Sequence, residues 1–315
     1  MELNSPIFLD APAVHRVWGG SRFNGPELPV GEIWLVHDEN VVAKGPGAGK
    51  TLGWVCEAFG EAILGSAVWS KGERHFPLLI KLIDAAEWLS IQVHPDDKQA
   101  ATLEGKGVRG KTEAWYLVEA ESGATVIAGT KRGVDQIQLE EAIRNGTVAE
   151  SLSIHDVSAG DVIHLPAGTI HALGPGALIY EVQQSSTITY RIADWNRPAS
   201  AGRALHIDQA IVCARLTPDC APVWAPVLSS GEMTEIVSCE YFQLFQLAVG
   251  EKPVELGTAG ERFHVITASE GNIDLSGDGW QTAIMPFETL VIPAALDRYE
   301  ISGADSGRVL IAMPR

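Results

Sequence analysis

The sequence predicts a mainly β protein, built as a sandwich or barrel with small helical insertions. Short apolar runs broken by Gly and Pro recur along most of the 315 residues, which is typical of strands joined by turns. Such runs lie near Gly31–Val36, Leu89–Val93, Ala114–Val118, Asp161–Leu165, Leu178–Gln183, Phe242–Leu247 and Thr289–Ile292. The length allows one large domain or two ordinary ones.

Two segments depart from the strand pattern. Residues 134–150 carry acidic residues on one helical face and apolar residues on the other, namely Ile137, Leu139, Ala142 and Ile143. Gly146 is expected to end this helix. A shorter helix is expected to open on Pro95 and two acids, which suit a helix N-terminus. Helical insertions are therefore predicted at about 95–110 and 134–152.

A weak internal repeat links the middle of the chain to its end. Residues 160–182 and 287–312 each contain an apolar strand, then Ile/Leu-Pro-Ala, a turn and a second apolar strand. The repeat predicts two similar barrels in tandem. Five residues after the shared Pro, the first copy has His171 and the second has Arg298, so the second copy is expected to be chemically silent.

Charge and cysteine usage narrow the function classes. The net charge of −17 disfavours broad attraction to nucleic acid or anionic membranes, although a few local cations can still hold a small anionic substrate. The four cysteines form no C-x-x-C pair, which disfavours a thiolate zinc site. Neither a secretion signal nor an apolar run long enough to span a bilayer is seen, and the expected location is the cytoplasm.

Four side chains have the pattern of a metal site. If Leu89–Val93 is a strand, Gln92 and His94 point to the same face. Glu113 opens another predicted strand, and His171 follows a turn. Two imidazoles and one carboxylate are a common catalytic zinc set that leaves a position open for water or substrate. His164 could compete with His171, but its place within a strand allows an outward orientation equally well.

One further motif, near the N-terminus, could be taken for a nucleotide-binding site. Residues 44–51, KGPGAGKT, resemble a phosphate-binding P-loop, but the first Gly that the P-loop requires falls on Lys44. The sequence before the motif also gives only a weak strand pattern, whereas a P-loop follows a strand. A Gly-rich connection is therefore favoured over a nucleotide site.

Part of the metal pattern resembles a known fold family. Gly160, Pro166 and His171 have the spacing of the second metal motif of cupin barrels. The Asn that usually follows is replaced by Pro175. The first cupin motif is absent in its compact form, because a longer insertion separates His94 from Glu113.

Longer motifs make the resemblance more specific. Residues 76–97, FPLLIKLIDAAEWLSIQVHPDD, are similar to type I mannose-6-phosphate isomerases in their short bacterial form. GKTEAWY at 110–116, TYRIADWNR at 189–197, VWGG at 17–20 and GEIW at 31–34 fit the same family. The similarity extends over essentially the whole chain and weakens toward the C-terminus.

The resemblance implies an activity, a cofactor and a set of site residues. The family interconverts mannose 6-phosphate and fructose 6-phosphate, which on chemical grounds passes through an enediol or enediolate. One Zn²⁺ per chain is expected on Gln92, His94, Glu113 and His171. Catalytic roles are expected for Arg191 and Lys111, and substrate contacts for Ser90 and Lys81. Whether Lys111 binds phosphate or acts as a base stays open, since a metal-bound water could equally carry the proton.

The resemblance also sharpens the fold. It implies tandem cupin, or jelly-roll, barrels, with a catalytic metal-binding domain at 1–222 and a cupin-like domain without metal at 223–315. The expected partner is a small sugar phosphate, and the chain is expected to be a monomer or homodimer. Two other functions remain open, a metal-dependent cupin oxygenase and a sugar-binding cupin without catalysis. The nearby Arg and Lys residues favour phosphate chemistry.

Overall fold

The computed structural model describes residues 2–23, 29–197, 203–218, 220–304 and 306–315. The strands are β1 (Ile7–Leu9), β2 (Ala13–Gly20), β3 (Val30–Val36), β4 (Val42–Lys44), β5 (Leu78–Ala85), β6 (Ile91–Val93), β7 (Glu113–Ala120), β8 (Thr125–Thr130), β9 (Leu152–Asp156), β10 (Asp161–Leu165), β11 (His171–Leu173), β12 (Ala177–Gln184), β13 (Tyr190–Ala193), β14 (Val223–Trp224), β15 (Met233–Ser238), β16 (Phe242–Val249), β17 (Val254–Gly257), β18 (His264–Glu270), β19 (Ile273–Gly277), β20 (Trp280–Ile284), β21 (Thr289–Ile292), β22 (Arg298–Ser302) and β23 (Gly307–Pro314). The predicted mainly β class is confirmed.

Helices are few and short. They are α1 (Leu52–Phe59), α2 (Glu61–Leu64), α3 (Ser66–Trp69), α4 (Asp97–Leu103), α5 (Gln136–Asn145) and α6 (Ile207–Cys213), with 3₁₀ turns at Val148–Ser151 and Ala294–Leu296. The two predicted insertions contain α4 and α5. The helices α2, α3 and α6 were not predicted.

Local sequence explains the limits of α5. Asp135 caps its N-terminus in a capping box with Gln138, and Gly146 ends it in the left-handed conformation. Leu139 and Ile143 are buried, as predicted. The prediction that Ile137 belongs to the same apolar face was wrong, because this side chain is 70% exposed in the first turn.

The structure divides into two compact units. The central unit comprises Ala13–Ile33 and Lys81–Ala225, and the terminal unit comprises Met1–Pro12, Trp34–Ile80 and Pro226–Arg315. The central unit contains most of a sheet with the order β14-β10-β7-β12-β5-β2-β3 and a second with the order β13-β6-β11-β8-β9. The terminal unit contains the sheets β15-β16-β23-β18-β21-β1-β4 and β17-β22-β19-β20. Two antiparallel sheets in each unit fit the predicted tandem jelly rolls.

The unit boundary near residue 225 lies close to the predicted division at 222/223, but the N-terminal part of the chain differs. Residues 2–12 and 34–80 pack with the C-terminal residues instead of the metal-binding domain. Strand pairing explains this, since β1 lies between β21 and β4 within one sheet. Such pairing between distant segments leaves no local signal in a single sequence.

Each unit has its own apolar interior. In the central unit, one cluster includes Trp115 and Ile163, and another includes Val93 and Ile170. In the terminal unit, Leu247, Ile266 and Ile311 belong to a single cluster. No helix within the described part of the chain is both long and apolar enough to cross a membrane.

Candidate metal centre and adjoining cavity

His94 is held where strand β6 passes into helix α4. Pro95 separates it from Asp96, whose carboxylate caps α4 in a capping box with Gln99. The His94 Nδ1–H donates to the Ile188 carbonyl at 2.7 Å. The backbone and the ring of His94 are therefore both fixed, and its Nε2 is directed into the interior of the central unit.

Glu113 is placed by the Gly-Lys-Thr segment that precedes it. A Cβ on Gly110 would lie 2.5 Å from the Asp96 carbonyl carbon, so only glycine allows this segment to pass so close. The Lys111 N–H donates to the Pro95 carbonyl at 2.9 Å, and the Thr112 N–H donates to Gln184 Oε1 at 2.9 Å. These bonds bring the first residue of β7 beside His94.

His171 and Gln92 lie on the second sheet of the central unit. They are direct partners in the antiparallel pairing of β11 with β6. Side chains of such partners share a face. The Gln92 amide nitrogen lies 3.3 Å from His171 Nε2, and Ser90 Oγ donates to Gln92 Oε1 at 3.2 Å. Gln92 thus contacts His171, one of the three residues of the predicted metal pattern.

The structure brings His94, Glu113 and His171 together in a buried cluster. One potential ligand atom from each of the three lies within 4.8 Å of the other two. His171 Nε2 is 3.1 Å from Glu113 Oε1, and His94 Nε2 is 3.5 Å from Glu113 Oε2. The exposed fraction of each residue is at most 2%.

The hydrogen bonds of the two imidazoles indicate that this cluster suits a cation. A carbonyl can only accept, so Nδ1 of His94 and Nδ1 of His171 carry the protons donated to Ile188 and Thr169. Neutral rings then present lone pairs at Nε2, facing the carboxylate of Glu113. Within the described residues, His94 Nε2 and Glu113 Oε1 have no hydrogen-bond partner. A metal ion between these donors would satisfy them, and the backbone bonds to Nδ1 are the usual supports of metal-binding histidines.

Charge within the cluster favours deprotonated ligands. Burial lowers the pKa of His94 well below its ordinary value, with Lys111 adding to the effect. Burial alone would raise the pKa of Glu113, but Lys111 and the two imidazoles outweigh it and hold this pKa well below its usual range. A neutral imidazole and an ionised carboxylate are the forms that bind metal.

Lys111 lies beside the cluster. Its Nζ is 2.8 Å from Glu113 Oε2. Burial alone would lower the pKa of Lys111, but the carboxylates of Glu113 and Glu181 raise it overall. A raised pKa favours a role for Lys111 as a positive charge over a role as a base.

A cavity of about 500 Å³ adjoins the cluster within the central unit. This volume falls in the range of roughly 300–1,000 Å³ that small-molecule sites occupy. The predicted residues on its wall are Lys81, Ser90, Gln92, Lys111 and Arg191. The structure therefore brings the eight predicted site residues to the cavity or to the metal cluster beside it.

Sequence reasoning missed several residues of this cavity wall. Glu32 contacts Lys81 at 3.8 Å, and Glu181 contacts Lys81 at 3.3 Å. Glu181 also accepts the indole N–H of Trp115 at 2.8 Å, while the Trp115 ring stands edge-on to His171. Glu181 and Trp115 face each other across β12 and β7, a pairing that leaves no local signal in the sequence. Glu32 had no local signal either.

His164, the possible competitor of His171, stays outside the metal cluster. It pairs with Ala114 across β10 and β7, and its Nε2 is buried without a hydrogen-bond partner in the described structure. Burial lowers the pKa of His164. His171 belongs to the cluster with Glu113 and His94, and His164 does not.

The P-loop-like segment is also accounted for locally. It forms turns in which Gly45, Gly47 and Gly49 have positive φ angles. The Thr51 hydroxyl accepts the Trp54 N–H as the N-cap of α1. The structure thus agrees with a Gly-rich connection.

The fold and the site together define a class. Two jelly-roll-type units, one of which buries a His-Glu-His set beside a polar cavity, are characteristic of a cupin-type protein with a candidate metal centre.

Comparisons with known proteins identify the family. A profile described as "Phosphomannose isomerase type I, catalytic domain" matches residues 14–145. The mannose-6-phosphate isomerase of Streptococcus mutans is 33% identical over 312 residues, covering 95% of each chain. This chain belongs to the type I phosphomannose isomerase family, and its enzyme class is that of an isomerase.

Solved structures agree with this assignment. The mannose 6-phosphate isomerase of Bacillus subtilis has a TM-score of 0.84 and 30% identity, covering 98% of this chain and 99% of its own. A phosphomannose isomerase from Salmonella typhimurium has a TM-score of 0.80, covering 99% of this chain and 100% of its own. Its 16% identity makes that likeness one of fold alone.

Proposed function

We propose that this chain interconverts mannose 6-phosphate and fructose 6-phosphate with one zinc ion per chain. The observation that carries the proposal is the buried cluster in which His94 Nε2 and Glu113 Oε1 lack a hydrogen bond beside a cavity rich in cations. The relatives named mannose-6-phosphate isomerase support the choice of substrate. The enzyme is proposed to act in the cytoplasm.

His94, Glu113 and His171 would hold the metal, with Gln92 as the fourth ligand. Its amide would have to turn over to present the oxygen, because the amide nitrogen lies 3.3 Å from His171 Nε2. One carboxylate among neutral ligands, with room for substrate, is a common arrangement of catalytic zinc. A bound zinc ion supplies Lewis-acid stabilisation of negative charge on the sugar oxygens. The Trp115 ring lies nearly perpendicular to the His171 ring, with centroids 5.4 Å apart, and would shield that side of the cluster from water.

Lys111 stabilises negative charge at the reacting end of the sugar. Isomerisation moves a proton between C1 and C2 of the open chain, and the resulting enediolate places charge on oxygen. Because its ammonium group is already positioned beside Glu113, Lys111 would stabilise this charge without reorganisation. The same ammonium can return a proton to the oxygen.

Arg191 provides a second permanent charge on the cavity wall. It pairs directly with Gln92 across β13 and β6, so its side chain leaves the sheet on the same face. Its Nη1 donates to the Ala204 carbonyl at 2.9 Å, while its buried Nε makes no hydrogen bond within the described structure. We assign this open N–H to a sugar oxygen, where a guanidinium can strengthen its bond as charge develops.

Ser90 and Lys81 are proposed to orient the sugar. The Ser90 hydroxyl fixes the amide of Gln92 and lies on the cavity wall. Lys81 is held between Glu32 and Glu181, a position that suits hydrogen bonds to sugar hydroxyls. Both residues would therefore act mainly on substrate binding.

A coupled assay with mannose 6-phosphate tests substrate and metal together. We expect turnover by the metal-loaded protein, loss after chelation and recovery when zinc is returned. The assay is run without oxygen, because strict dependence on O₂ would favour an oxygenase instead. Sugar-phosphate binding without turnover in the zinc-loaded protein would favour a binding cupin.

A further inference from the structure

The hydrogen-bond donors around the cavity are unevenly occupied. Toward the metal cluster, Trp115 Nε1 donates to Glu181, Ser90 Oγ donates to Gln92, and the Lys111 ammonium faces Glu113. Trp115 Nε1 and Ser90 Oγ therefore already have protein acceptors, and the charge of Lys111 is balanced by Glu113. A phosphate group brings acceptors only, so it needs donors that the protein leaves open.

Charge at the Lys81 side of the cavity is balanced within the protein. Arg16 donates to Glu32 at 2.8 Å, Glu32 contacts Lys81, and Lys81 contacts Glu181. Cations and carboxylates alternate along this chain of contacts, and Lys81 is nearly buried between its two acids. A dianion placed there would meet two carboxylates as well as the ammonium.

The part of the cavity wall that carries Arg191 and Arg203 has an excess of positive charge. Arg191 forms no ion pair with any residue in the described ranges, and its Nε lacks a hydrogen bond. Burial and the nearby charge of Arg203 lower the pKa of Arg191. Asp194 is the nearby carboxylate, but it is shared between Arg203 and Arg197.

Arg203 keeps part of its guanidinium open. Its Nε and Nη2 donate to the two carboxylate oxygens of Asp194 at 2.5 and 2.8 Å. This fork-to-fork pair fixes the plane of the guanidinium. Within the described residues its Nη1 makes no hydrogen bond, and the side chain lines the cavity.

His206 supplies a neutral donor at the same side. Its Nδ1 accepts the Arg191 backbone N–H at 3.2 Å, while the His206 N–H donates to the Arg191 carbonyl at 2.8 Å. Because Nδ1 accepts, the proton of the neutral ring must be on Nε2. His206 lines the cavity, so this N–H is available to an acceptor inside it.

We propose that the phosphomonoester of the substrate binds at the corner formed by Arg203, His206 and the outer side of Arg191, and not at Lys81. We call this the phosphate corner. The inference rests on the proposed function, and it deepens that function by giving the two ends of the substrate separate places. Arg191, which pairs with Gln92 in the sheet and contacts Ala204, then lies between the phosphate corner and the reacting end.

The test measures the binding of inorganic phosphate to the zinc-loaded protein by calorimetry, and as competitive inhibition where turnover is present. Arg203→Gln and His206→Phe should each weaken phosphate binding about tenfold or more, the scale of a lost hydrogen bond to a charged group. Lys81→Gln is the matched variant at the other side. It should change phosphate binding by less than about threefold, because the charge of Lys81 is already balanced by the carboxylates of Glu32 and Glu181.

The outcomes separate this inference from the proposed function. Equal or larger loss in Lys81→Gln, or unchanged binding in both corner variants, would overturn the phosphate corner. The calorimetric reading does not depend on catalysis, so a chain without isomerase activity still tests the corner. Arg203→Lys guards against misfolding, since it keeps a charge beside Asp194. It should retain the melting temperature of the parent and still bind phosphate less tightly, because the fork is lost.

Discussion

The two units share a strand pattern but bury different chemistry. In the central unit, His171 opens β11, is 1% exposed and faces Glu113. At the matching place of the repeat, Arg298 opens β22, has a side chain that is 76% exposed and pairs with Glu255 at 3.6 Å. The terminal unit instead buries Tyr299, the next residue, against His264.

This difference shows how little change is needed to give or remove a site. Side chains in a strand alternate between faces, so a shift of one residue exchanges the inward and outward sets. In β22 the inward position is Tyr299, whose hydroxyl lies 2.6 Å from His264 Nδ1. That pair satisfies itself, whereas the cluster of the central unit leaves His94 Nε2 without a partner. The feature that distinguishes the functional unit is therefore a buried group of potential metal ligands without hydrogen-bond partners, and not the jelly roll itself.

The largest effect is expected from His171→Ala. Removing one imidazole leaves Glu113 and His94 without a complete ligand set, so metal should be lost at micromolar concentrations. Turnover of mannose 6-phosphate should fall roughly 10³-fold, because Lewis-acid stabilisation contributes several kcal/mol. Metal analysis and the coupled assay check this together, and a variant with the parent's activity would refute the metal role of His171.

A second large effect is expected from Lys111→Met. The substitution keeps most of the side-chain length but removes the charge 2.8 Å from Glu113. If Lys111 stabilises the enediolate, kcat should fall roughly 10²–10³-fold, as for the loss of one oxyanion donor. Metal content should be retained. Steady-state kinetics that show a change in KM alone would reassign Lys111 to substrate binding.

A moderate effect on stability is expected from the buried pair of the terminal unit. Burial lowers the pKa of His264 from 6.5 to about 4, with Arg262 adding to the shift. The unfolded state therefore takes up this proton first as the pH falls. Stability from the neutral ring is fully present above pH 6.5 and is lost progressively down to about pH 4. The loss should be about 3 kcal/mol.

Denaturant unfolding between pH 7 and pH 4 measures this contribution. In His264→Gln, the fall in the free energy of unfolding should be shallower than in the parent by about that amount. Parallel curves for the two proteins would show that His264 contributes nothing to acid sensitivity. Isomerase turnover at neutral pH serves as the control for a folded central unit.

The smallest effect is expected from Arg298→Ala, the matched control for His171→Ala. The side chain is mostly exposed and its ion pair with Glu255 is on the surface. The free energy of unfolding should change by no more than about 0.5 kcal/mol. Turnover should be unchanged, and a loss of activity here would mean that the two copies of the repeat are not chemically distinct.

Much of the site could be predicted because its residues lie where local patterns change. Gln92 and His94 share strand parity, Glu113 begins a strand, and His171 follows a turn. The short strands and the two capped insertions also have local signals, and they match β10, α4 and α5 closely. The internal repeat correctly marked Arg298 as the counterpart of His171 at the start of a strand.

What could not be predicted depends on contacts between distant segments. Glu32 and Glu181 reach Lys81, and Arg16 reaches Glu32, only after folding, so no spacing rule links them. The packing of residues 2–12 and 34–80 with the C-terminal part likewise depends on the pairing of β1 with β21. The helices α2 and α3 have only four residues each, too few for a periodic pattern.

The most direct test is the number of metal ions bound per chain, measured by elemental analysis of the purified protein and of the two matched variants. The account predicts one zinc ion in the parent, one in Arg298→Ala and essentially none in His171→Ala. Two ions per chain, or retention of the full metal content by His171→Ala, would contradict it.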